Sequence, residues 1–233
     1  MKAVLFDFGG TIDTDGVHWS EEFWEFYRRF GVVVGREEFE AAYLGIEKEL
    51  AEGASLGETT FYETLRRQFA GQFKRLGLPE GDPRLEKMLD ACYAHVTEVI
   101  RKASPLLGEL SKRFRLGVVS NFYGNLEAVC REFKLNHYFT VLVDSAVVGL
   151  RKPDPRIWSL GLKMLDVSPA EAFVIGDSYE RDIVPGKTLG CTTLWLKGKR
   201  RTVPPSTADA DYTIGSLDEV KRILLPAAIK KVR

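Results

Sequence analysis

The chain has 233 residues, and its 33 Lys and Arg residues balance 33 Asp and Glu residues, so the formal net charge is zero. A neutral chain has no global attraction for nucleic acid or an anionic membrane, and 45% hydrophobic with 28% charged residues exclude global disorder. The three cysteines are scattered, which is typical of a reducing compartment, and no apolar run approaches the ~20 residues of a membrane helix. We expect a cytoplasmic protein that binds neither nucleic acid nor membranes.

Short apolar runs along the chain predict the strands of a parallel sheet. They lie at residues 3–6, 116–119, 141–143, 172–175 and 192–196. Each run is nearly continuous rather than alternating, a pattern typical of strands buried on both faces. Helical segments are predicted at residues 124–133, 155–165, 180–189 and 216–225, the last after an edge strand at 212–214. This alternation of strands and helices predicts an α/β fold with a Rossmann-like parallel sheet.

Residues 16–100 interrupt the alternation and have a helical pattern throughout. Apolar side chains recur there at helical spacing, as in Trp19, Phe23, Phe26 and Phe30. We therefore predict a catalytic core made of residues 1–15 and 101–233, with residues 16–100 inserted as a helical cap. The aromatic residues after the first strand are expected to form the cap core, although Trp19 or Trp24 lies close enough in sequence to face a pocket.

Polar side chains stand where the apolar runs end, and the carboxyl ends of parallel strands share one edge of a sheet. The residues in question are Asp7, Thr11, Ser120, Asn121, Lys152, Asp177 and Asp182. Three acids at one edge repel one another and need a cation or a proton, and hard carboxylate oxygens suit Mg²⁺. A lysine and hydroxyl or amide donors beside that ion would make a pocket for a phosphoryl group.

Four segments that contain these residues resemble the ordered motifs of the haloacid dehalogenase superfamily. They are residues 6–11 (Phe-Asp-Phe-Gly-Gly-Thr), 119–121 (Val-Ser-Asn), 152–155 (Lys-Pro-Asp-Pro) and 175–178 (Ile-Gly-Asp-Ser) followed by Asp182. The resemblance covers the whole chain, because members of this superfamily also carry a helical cap inserted after the first motif. It implies hydrolysis of a small phosphorylated substrate with Mg²⁺ as the cofactor.

The resemblance also implies a role for each matching residue. Asp7 would be the catalytic nucleophile, forming an aspartyl-phosphate, and Lys152 would be the catalytic cation that neutralises it. The phosphate-binding set would be Thr11, Ser120, Asn121 and Lys152. The metal set would be Asp7, Gly9, Asp177 and Asp182. In that set Gly9 would contribute its backbone carbonyl, and Asp182 would orient metal-bound waters or Lys152.

One position departs from the first motif of similar phosphate-ester hydrolases, which has the pattern Asp-x-Asp-Gly-Thr. Their second aspartate, the general acid for the leaving group and the base for water, is replaced here by Gly9. General acid–base catalysis is worth ~10²–10⁴-fold, and glycine cannot provide it. Either the leaving group needs no proton, or the proton comes from a group such as Asp13, Asp15 or His18.

Three functions remain open from the sequence. The favoured hypothesis is a Mg²⁺-dependent hydrolase of a small phosphorylated metabolite. The first alternative is a degenerate member that binds a phosphorylated ligand or a protein partner with little turnover. The second is a 2-haloacid dehalogenase, although such enzymes need no Mg²⁺ and generally lack the acidic pair retained here as Asp177 and Asp182. The basic run at residues 197–201 is interpreted as a solvated loop rather than a nucleic-acid site.

Overall fold

A computed structural model of the protein describes residues 1–198 and 210–225. Six parallel strands form one sheet in the order β3-β2-β1-β4-β5-β6. The strands are β1 (Ala3–Phe6), β2 (Arg115–Ser120), β3 (Val141–Asp144), β4 (Ala172–Gly176), β5 (Thr192–Leu196) and β6 (Tyr212–Ile214). The predicted α/β fold is confirmed, including the edge strand. Of the basic run, Lys199, Arg200 and Arg201 lie outside the described residues.

Strand β1 lies at the centre of the sheet and is buried on both faces. Val4 and Phe6 pack in one apolar cluster, whereas Ala3 and Leu5 pack in a second cluster on the opposite face. The strand order reverses beside β1, which pairs with β2 on one side and β4 on the other. In open parallel sheets the crevice at such a reversal, beyond the carboxyl ends of the strands, is the usual ligand site. The residues that follow β1, β2 and β4 therefore meet there.

Four helices form most of the predicted cap: α1 (Trp19–Arg29), α2 (Arg36–Glu52), α3 (Phe61–Arg75) and α4 (Pro83–Leu110). Their starts follow from local signals. Thr60 and Glu63 form a capping box ahead of α3, and Asp82 caps α4 with Pro83 in its first turn. Helix α4 runs without a break through the boundary predicted at residue 100, so cap and core share one continuous helix. None of the helices in the described ranges is long and apolar enough to span a membrane.

The remaining described helices belong to the core. They are α5 (Leu126–Glu132), α6 (Ser145–Val148), α7 (Pro155–Met164), α8 (Val184–Leu189) and α9 (Asp218–Leu224). The helix predicted at 180–189 consists of a π-helical turn at Tyr179–Ile183 that continues directly into α8, whose first turn contains Pro185. Asp182 lies in the π-helical turn, close to the end of β4, where its Oδ2 accepts a hydrogen bond from the Ser178 amide.

Hydrogen bonds join the segment predicted as the cap to the loop and helix that follow β2. The Asn125 side chain donates to the Thr59 carbonyl at 2.8 Å and to the Thr64 hydroxyl at 2.9 Å. The Leu56 amide donates to the Tyr123 carbonyl at 2.8 Å. These bonds place the cap directly above the edge of the sheet at which the polar residues were expected to meet.

Candidate active site

Asp7 follows β1 directly and its carboxylate is the centre of a buried network. Its backbone amide extends the sheet by donating to the Ile175 carbonyl at 2.9 Å. Oδ1 accepts from the Phe8 amide at 2.7 Å, the Ser120 hydroxyl at 2.9 Å and the Lys152 ammonium at 2.7 Å. Every hydrogen bond to this carboxylate from the described residues ends on Oδ1, so Oδ2 keeps its lone pairs for phosphorus or a cation.

Lys152 is a buried cation held between two carboxylates. Its Nζ lies 2.7 Å from Asp7 Oδ1 and 2.8 Å from Asp182 Oδ1, and only 4% of the residue is exposed. Burial alone would lower the pKa of Lys152, but Asp182 and Asp7 raise it above its usual value. Lys152 is therefore charged at neutral pH, and its ammonium faces the predicted nucleophile.

Asn121 positions Lys152 through its backbone. The amide oxygen of Asn121 accepts from the Lys152 N–H at 2.8 Å, and its Nδ2 donates to the Lys152 carbonyl at 3.1 Å. This paired contact fixes the segment after β3 against the end of β2. Asn121 also lines the cavity described below, but its side chain makes these bonds to Lys152 rather than pointing both polar ends at a ligand.

Three acids converge beside Lys152. Carboxylate oxygens of Asp7, Asp177 and Asp182 all lie within 4.8 Å of one another, and all three residues are buried. Asp182 uses both oxygens, since Oδ1 accepts from Lys152 and Oδ2 accepts from the Ser178 amide at 2.9 Å. Burial raises the pKa of Asp182 to about 6, although Lys152 opposes this rise. One ammonium does not balance three carboxylates, so the hard oxygen set fits a divalent cation such as Mg²⁺.

Two glycines allow these acids to approach the backbone. Gly10 has a φ of +89°, and a Cβ there would lie 2.6 Å from the carboxylate of Asp177. A Cβ on Gly176 would lie 2.3 Å from Asp182 Oδ2. Both distances are far inside van der Waals contact, so any side chain would displace an acid of the cluster. The glycines of the first and fourth motifs thus have a steric role in the site.

Thr11 and Ser120 lie in different positions relative to the cavity, although both were predicted to bind phosphate. The Thr11 hydroxyl accepts from the Asp177 amide at 3.0 Å and is fully buried, outside the described lining of the cavity. It ties the turn after β1 to the end of β4. Ser120 lines the cavity and donates to Asp7. The structure therefore favours Ser120 over Thr11 as the hydroxyl donor for a phosphoryl oxygen.

The three side chains considered as proton donors in place of Gly9 have different positions relative to the cavity. A Cβ on Gly9 would meet only the Trp19 indole, at 3.7 Å. Asp13 accepts from the Gly10 amide at 2.7 Å and from Trp19 Nε1 at 2.9 Å, and burial raises its pKa well above the usual value. Asp13 and His18 line the cavity, whereas Asp15 is not among the described lining residues and its Oδ1 accepts from the Leu217 amide at 2.7 Å.

A cavity of about 110 Å³ joins Asp7, Lys152 and Asp177 to the cap. Its cap wall includes Trp19, Phe23, Tyr43, Glu47, Phe61 and Gln68. Sequence reasoning considered Trp19 as a pocket residue but missed Glu47 and Gln68. A signal existed, because Thr64, Gln68 and Gln72 recur every four residues on the buried stripe of α3. Polar side chains on an apolar stripe need partners, and a ligand pocket is one source of them.

Comparison with known proteins agrees with this arrangement of motifs. The model of the family described as haloacid dehalogenase-like hydrolase matches residues 1–190. The chain belongs to this family. It is therefore a haloacid dehalogenase-like hydrolase, whose parallel sheet carries the acidic cluster and the buried lysine described above.

Relatives of known name include phosphatases. The pyrimidine 5'-nucleotidase YjjG of Escherichia coli is 26% identical over 197 residues, covering 84% of this chain and 86% of that protein. The glyceraldehyde 3-phosphate phosphatase of Pyrococcus furiosus is 29% identical over 136 residues, covering 57% of this chain and 56% of that protein. Among solved structures, a phosphatase of the same superfamily from Thermococcus onnurineus is 26% identical, with a TM-score of 0.56 and coverage of 96% and 98%.

Proposed function

We propose that this hydrolase cleaves small phosphomonoesters with Mg²⁺ as its cofactor. The observation that carries the proposal is the contact between the Lys152 ammonium and Asp7 Oδ1 inside an acidic cluster, in the lining of a cavity. A buried ammonium next to a carboxylate nucleophile suits a dianionic substrate. The similarity to a nucleotidase and a sugar-phosphate phosphatase supports the same reaction class.

In the proposed reaction an oxygen of Asp7 attacks phosphorus. The bond between phosphorus and the ester oxygen breaks, which leaves an aspartyl-phosphate and the leaving-group anion, and this anion becomes the alcohol by taking a proton from water or from Asp13 or His18 in the cavity lining. Lys152 and Ser120, which now donate to Asp7 Oδ1, transfer their hydrogen bonds to phosphoryl oxygens as the negative charge moves onto them. Water then attacks the same phosphorus, which releases orthophosphate and restores the Asp7 carboxylate.

The residues that would hold Mg²⁺ are Asp7, Asp177 and the carbonyl of Gly9. Asp182 is assigned to orienting Lys152, because both of its oxygens already accept hydrogen bonds. When bound, the ion supplies Lewis-acid neutralisation of the phosphoryl oxygens. The cap keeps bulk water out of the cavity while the phosphoryl group is on Asp7.

The first test of this function is the metal dependence of phosphatase activity. We expect hydrolysis of p-nitrophenyl phosphate in Mg²⁺ and its loss after treatment with a chelator, with recovery when Mg²⁺ is restored. Each alternative has its own signature. Halide release from a 2-haloacid in the presence of chelator would identify a dehalogenase, and phosphate binding without turnover of any ester would identify a degenerate member.

The second test concerns Gly9, where the acid–base aspartate of similar hydrolases is missing. The φ of −71° and ψ of 120° at Gly9 suit any residue, so Gly9→Asp introduces a carboxylate without backbone strain. We expect this variant to hydrolyse alkyl phosphates faster by about 10²-fold, because their leaving groups need a proton. p-Nitrophenyl phosphate, with a stable leaving anion, should change far less.

The control for this change is Gly9→Asn, which has nearly the same shape but transfers no proton. Steady-state kcat values for ethyl phosphate and p-nitrophenyl phosphate separate the two effects. If Gly9→Asp accelerated both esters equally, or neither, the wild-type protein would already have a proton donor in place. Asp13 and His18 are the groups that line the cavity and would then be replaced individually.

A further inference from the structure

Glu47 is a carboxylate of the cap that lines the same cavity as the nucleophile. It lies on α2, one turn after Tyr43, which is also part of the lining. Burial raises the pKa of Glu47, and its hydrogen bonds with Tyr123 and Gln68 and the positive charge of Arg151 and Arg181 oppose this rise. The wall around Glu47 is otherwise largely aromatic, and partial burial there removes water from the carboxylate. The carboxylate therefore needs hydrogen-bond donors from the protein or from a ligand.

The orientation of Glu47 is set by a chain of donors. Tyr123 Oη and Gln68 Nε2 both donate to Glu47 Oε1. Because Gln68 presents its NH₂ to Glu47, its carbonyl oxygen faces Gln72, which donates to it at 3.2 Å. Both hydrogen bonds to Glu47 from the described residues end on Oε1, so Oε2 retains its capacity to accept. The site is therefore a fixed acceptor at the cap end of the cavity.

The charged side chains in the cavity lining differ between its core wall and its cap wall. Lys152 provides a positive charge beside Asp7, where the phosphoryl group would bind. Arg181, an exposed residue of the core, is the other Lys or Arg in the described lining. The cap wall at Glu47 presents a carboxylate instead. A leaving group with a second anionic group directed at Glu47 would meet like charge, whereas a hydroxyl or amino group would gain a charge-assisted hydrogen bond.

We propose that Glu47 is a specificity-determining residue that selects phosphomonoesters whose leaving group carries a hydroxyl or amino donor. It would discriminate against leaving groups that end in a carboxylate or a second phosphate. This inference rests on the proposed phosphohydrolase function and adds the substrate class. Loss of one hydrogen bond to a charged group corresponds to about 10- to 100-fold in affinity, which sets the size of the expected preference.

The test compares probes of equal carbon count with Mg²⁺ present. Glycerol 3-phosphate carries hydroxyl donors, n-propyl phosphate has no donor, and 3-phosphoglycerate ends in a carboxylate. We expect kcat/KM for glycerol 3-phosphate to exceed the values for both others by about 10-fold or more, mainly through KM. p-Nitrophenyl phosphate reports the chemistry at Asp7 without a donor in the leaving group.

Glu47→Gln is the decisive variant. Its amide oxygen can keep the hydrogen bonds from Tyr123 and Gln68, which directs the NH₂ toward the position of Oε2. The substrate then meets a hydrogen-bond donor where the wild-type protein has an acceptor. We expect kcat/KM for glycerol 3-phosphate to fall about 10-fold, that for 3-phosphoglycerate to rise, and that for p-nitrophenyl phosphate to stay within about 3-fold. The matched control is Glu49→Gln on the same helix, an exposed residue paired with Arg75.

The possible failures are distinct. Equal losses of kcat/KM for all probes in Glu47→Gln would assign Glu47 a structural role and overturn the inference. A wild-type preference for 3-phosphoglycerate would also overturn it and would point to Arg181 as the residue that binds the leaving group. No turnover of any probe, p-nitrophenyl phosphate included, would overturn the proposed function. Calorimetric binding of the three probes to the Asp7→Asn protein tests Glu47 independently, because the same order of affinities is expected without any reaction.

Discussion

Replacement of Asp7 by asparagine is expected to reduce phosphomonoester hydrolysis by on the order of 10⁴-fold or more, since it removes the nucleophile while preserving its shape. An amide cannot form the acyl-phosphate at a useful rate. In the wild-type protein, Oδ1 accepts from the Phe8 amide, Ser120 and Lys152, and the amide oxygen of asparagine can accept the same bonds. The variant should therefore fold and retain phosphate binding.

Two measurements check this result. Single-turnover experiments with a labelled phosphomonoester should trap phosphate covalently on the wild-type protein and not on Asp7→Asn. The matched control is Asp166→Asn, since the Asp166 side chain is 99% exposed and is not among the described lining residues of the cavity. Undiminished turnover by Asp7→Asn in a folded sample would reject Asp7 as the nucleophile and, with it, the proposed mechanism.

Replacement of Lys152 by methionine is the second change with a large expected effect. It removes a buried positive charge, and we expect both the activity and the free energy of unfolding to fall. Activity should fall by on the order of 10²–10³-fold, as for other lost transition-state donors. The free energy of unfolding at pH 8 should fall by about 3–5 kcal/mol, since buried Asp7 and Asp182 lose their shared cation. Lys152→Arg, which keeps the charge, should be less destabilising.

The stability loss in Lys152→Met should depend on pH in a defined direction. In the wild-type protein the pKa of Asp182 is raised to about 6 by burial even though Lys152 lowers it, so removal of Lys152 raises it further. A carboxyl with a higher pKa in the folded than in the unfolded chain, where it is about 3.9, binds protons preferentially in the folded state. The variant therefore gains stability as pH falls, and its deficit should be smaller at pH 5 than at pH 8.

Denaturant unfolding at the two pH values, with and without added Mg²⁺, measures this effect. Mg²⁺ should restore part of the lost stability at pH 8, because a divalent cation replaces the missing positive charge among the acids. The control is Lys163→Met on α7, an exposed lysine. A deficit that did not change with pH or Mg²⁺ would show that lost packing, rather than unpaired carboxylates, caused the destabilisation.

The site residues that follow the strands were predicted from the sequence, whereas those on the helices of residues 16–100 were not. Asp7, Ser120 and Asp177 were predicted to meet because each directly follows or ends a buried parallel strand, and such strands end at one edge of the sheet. Glu47 and Gln68 were not predicted as site residues. Helical periodicity identifies the buried face of a cap helix, but it does not tell whether this face covers another helix or a ligand cavity.

The partners of individual side chains also depended on the tertiary structure. Thr11 and Asn121 have the residue types expected of phosphate ligands, yet their polar atoms bind the backbone of Asp177 and of Lys152. Asp13 and Asp15 are two residues apart, but Asp13 lines the cavity and Asp15 caps the start of the C-terminal helix region through Leu217. A turn reverses direction within such a short distance, so sequence proximity does not decide which carboxyl faces the site.

The amino-acid sequence by itself determined the α/β class, the parallel sheet of strands buried on both faces, the four motif segments and the lack of an acid–base side chain at Gly9. These follow from apolar periodicity and residue identity, which are local properties of the chain. Only the tertiary structure decided that Lys152 bridges Asp7 and Asp182, and that Glu47 lines the same cavity as Asp7 and Lys152. Such contacts join residues that are distant in the chain, and their distances depend on how the helices and the sheet pack together.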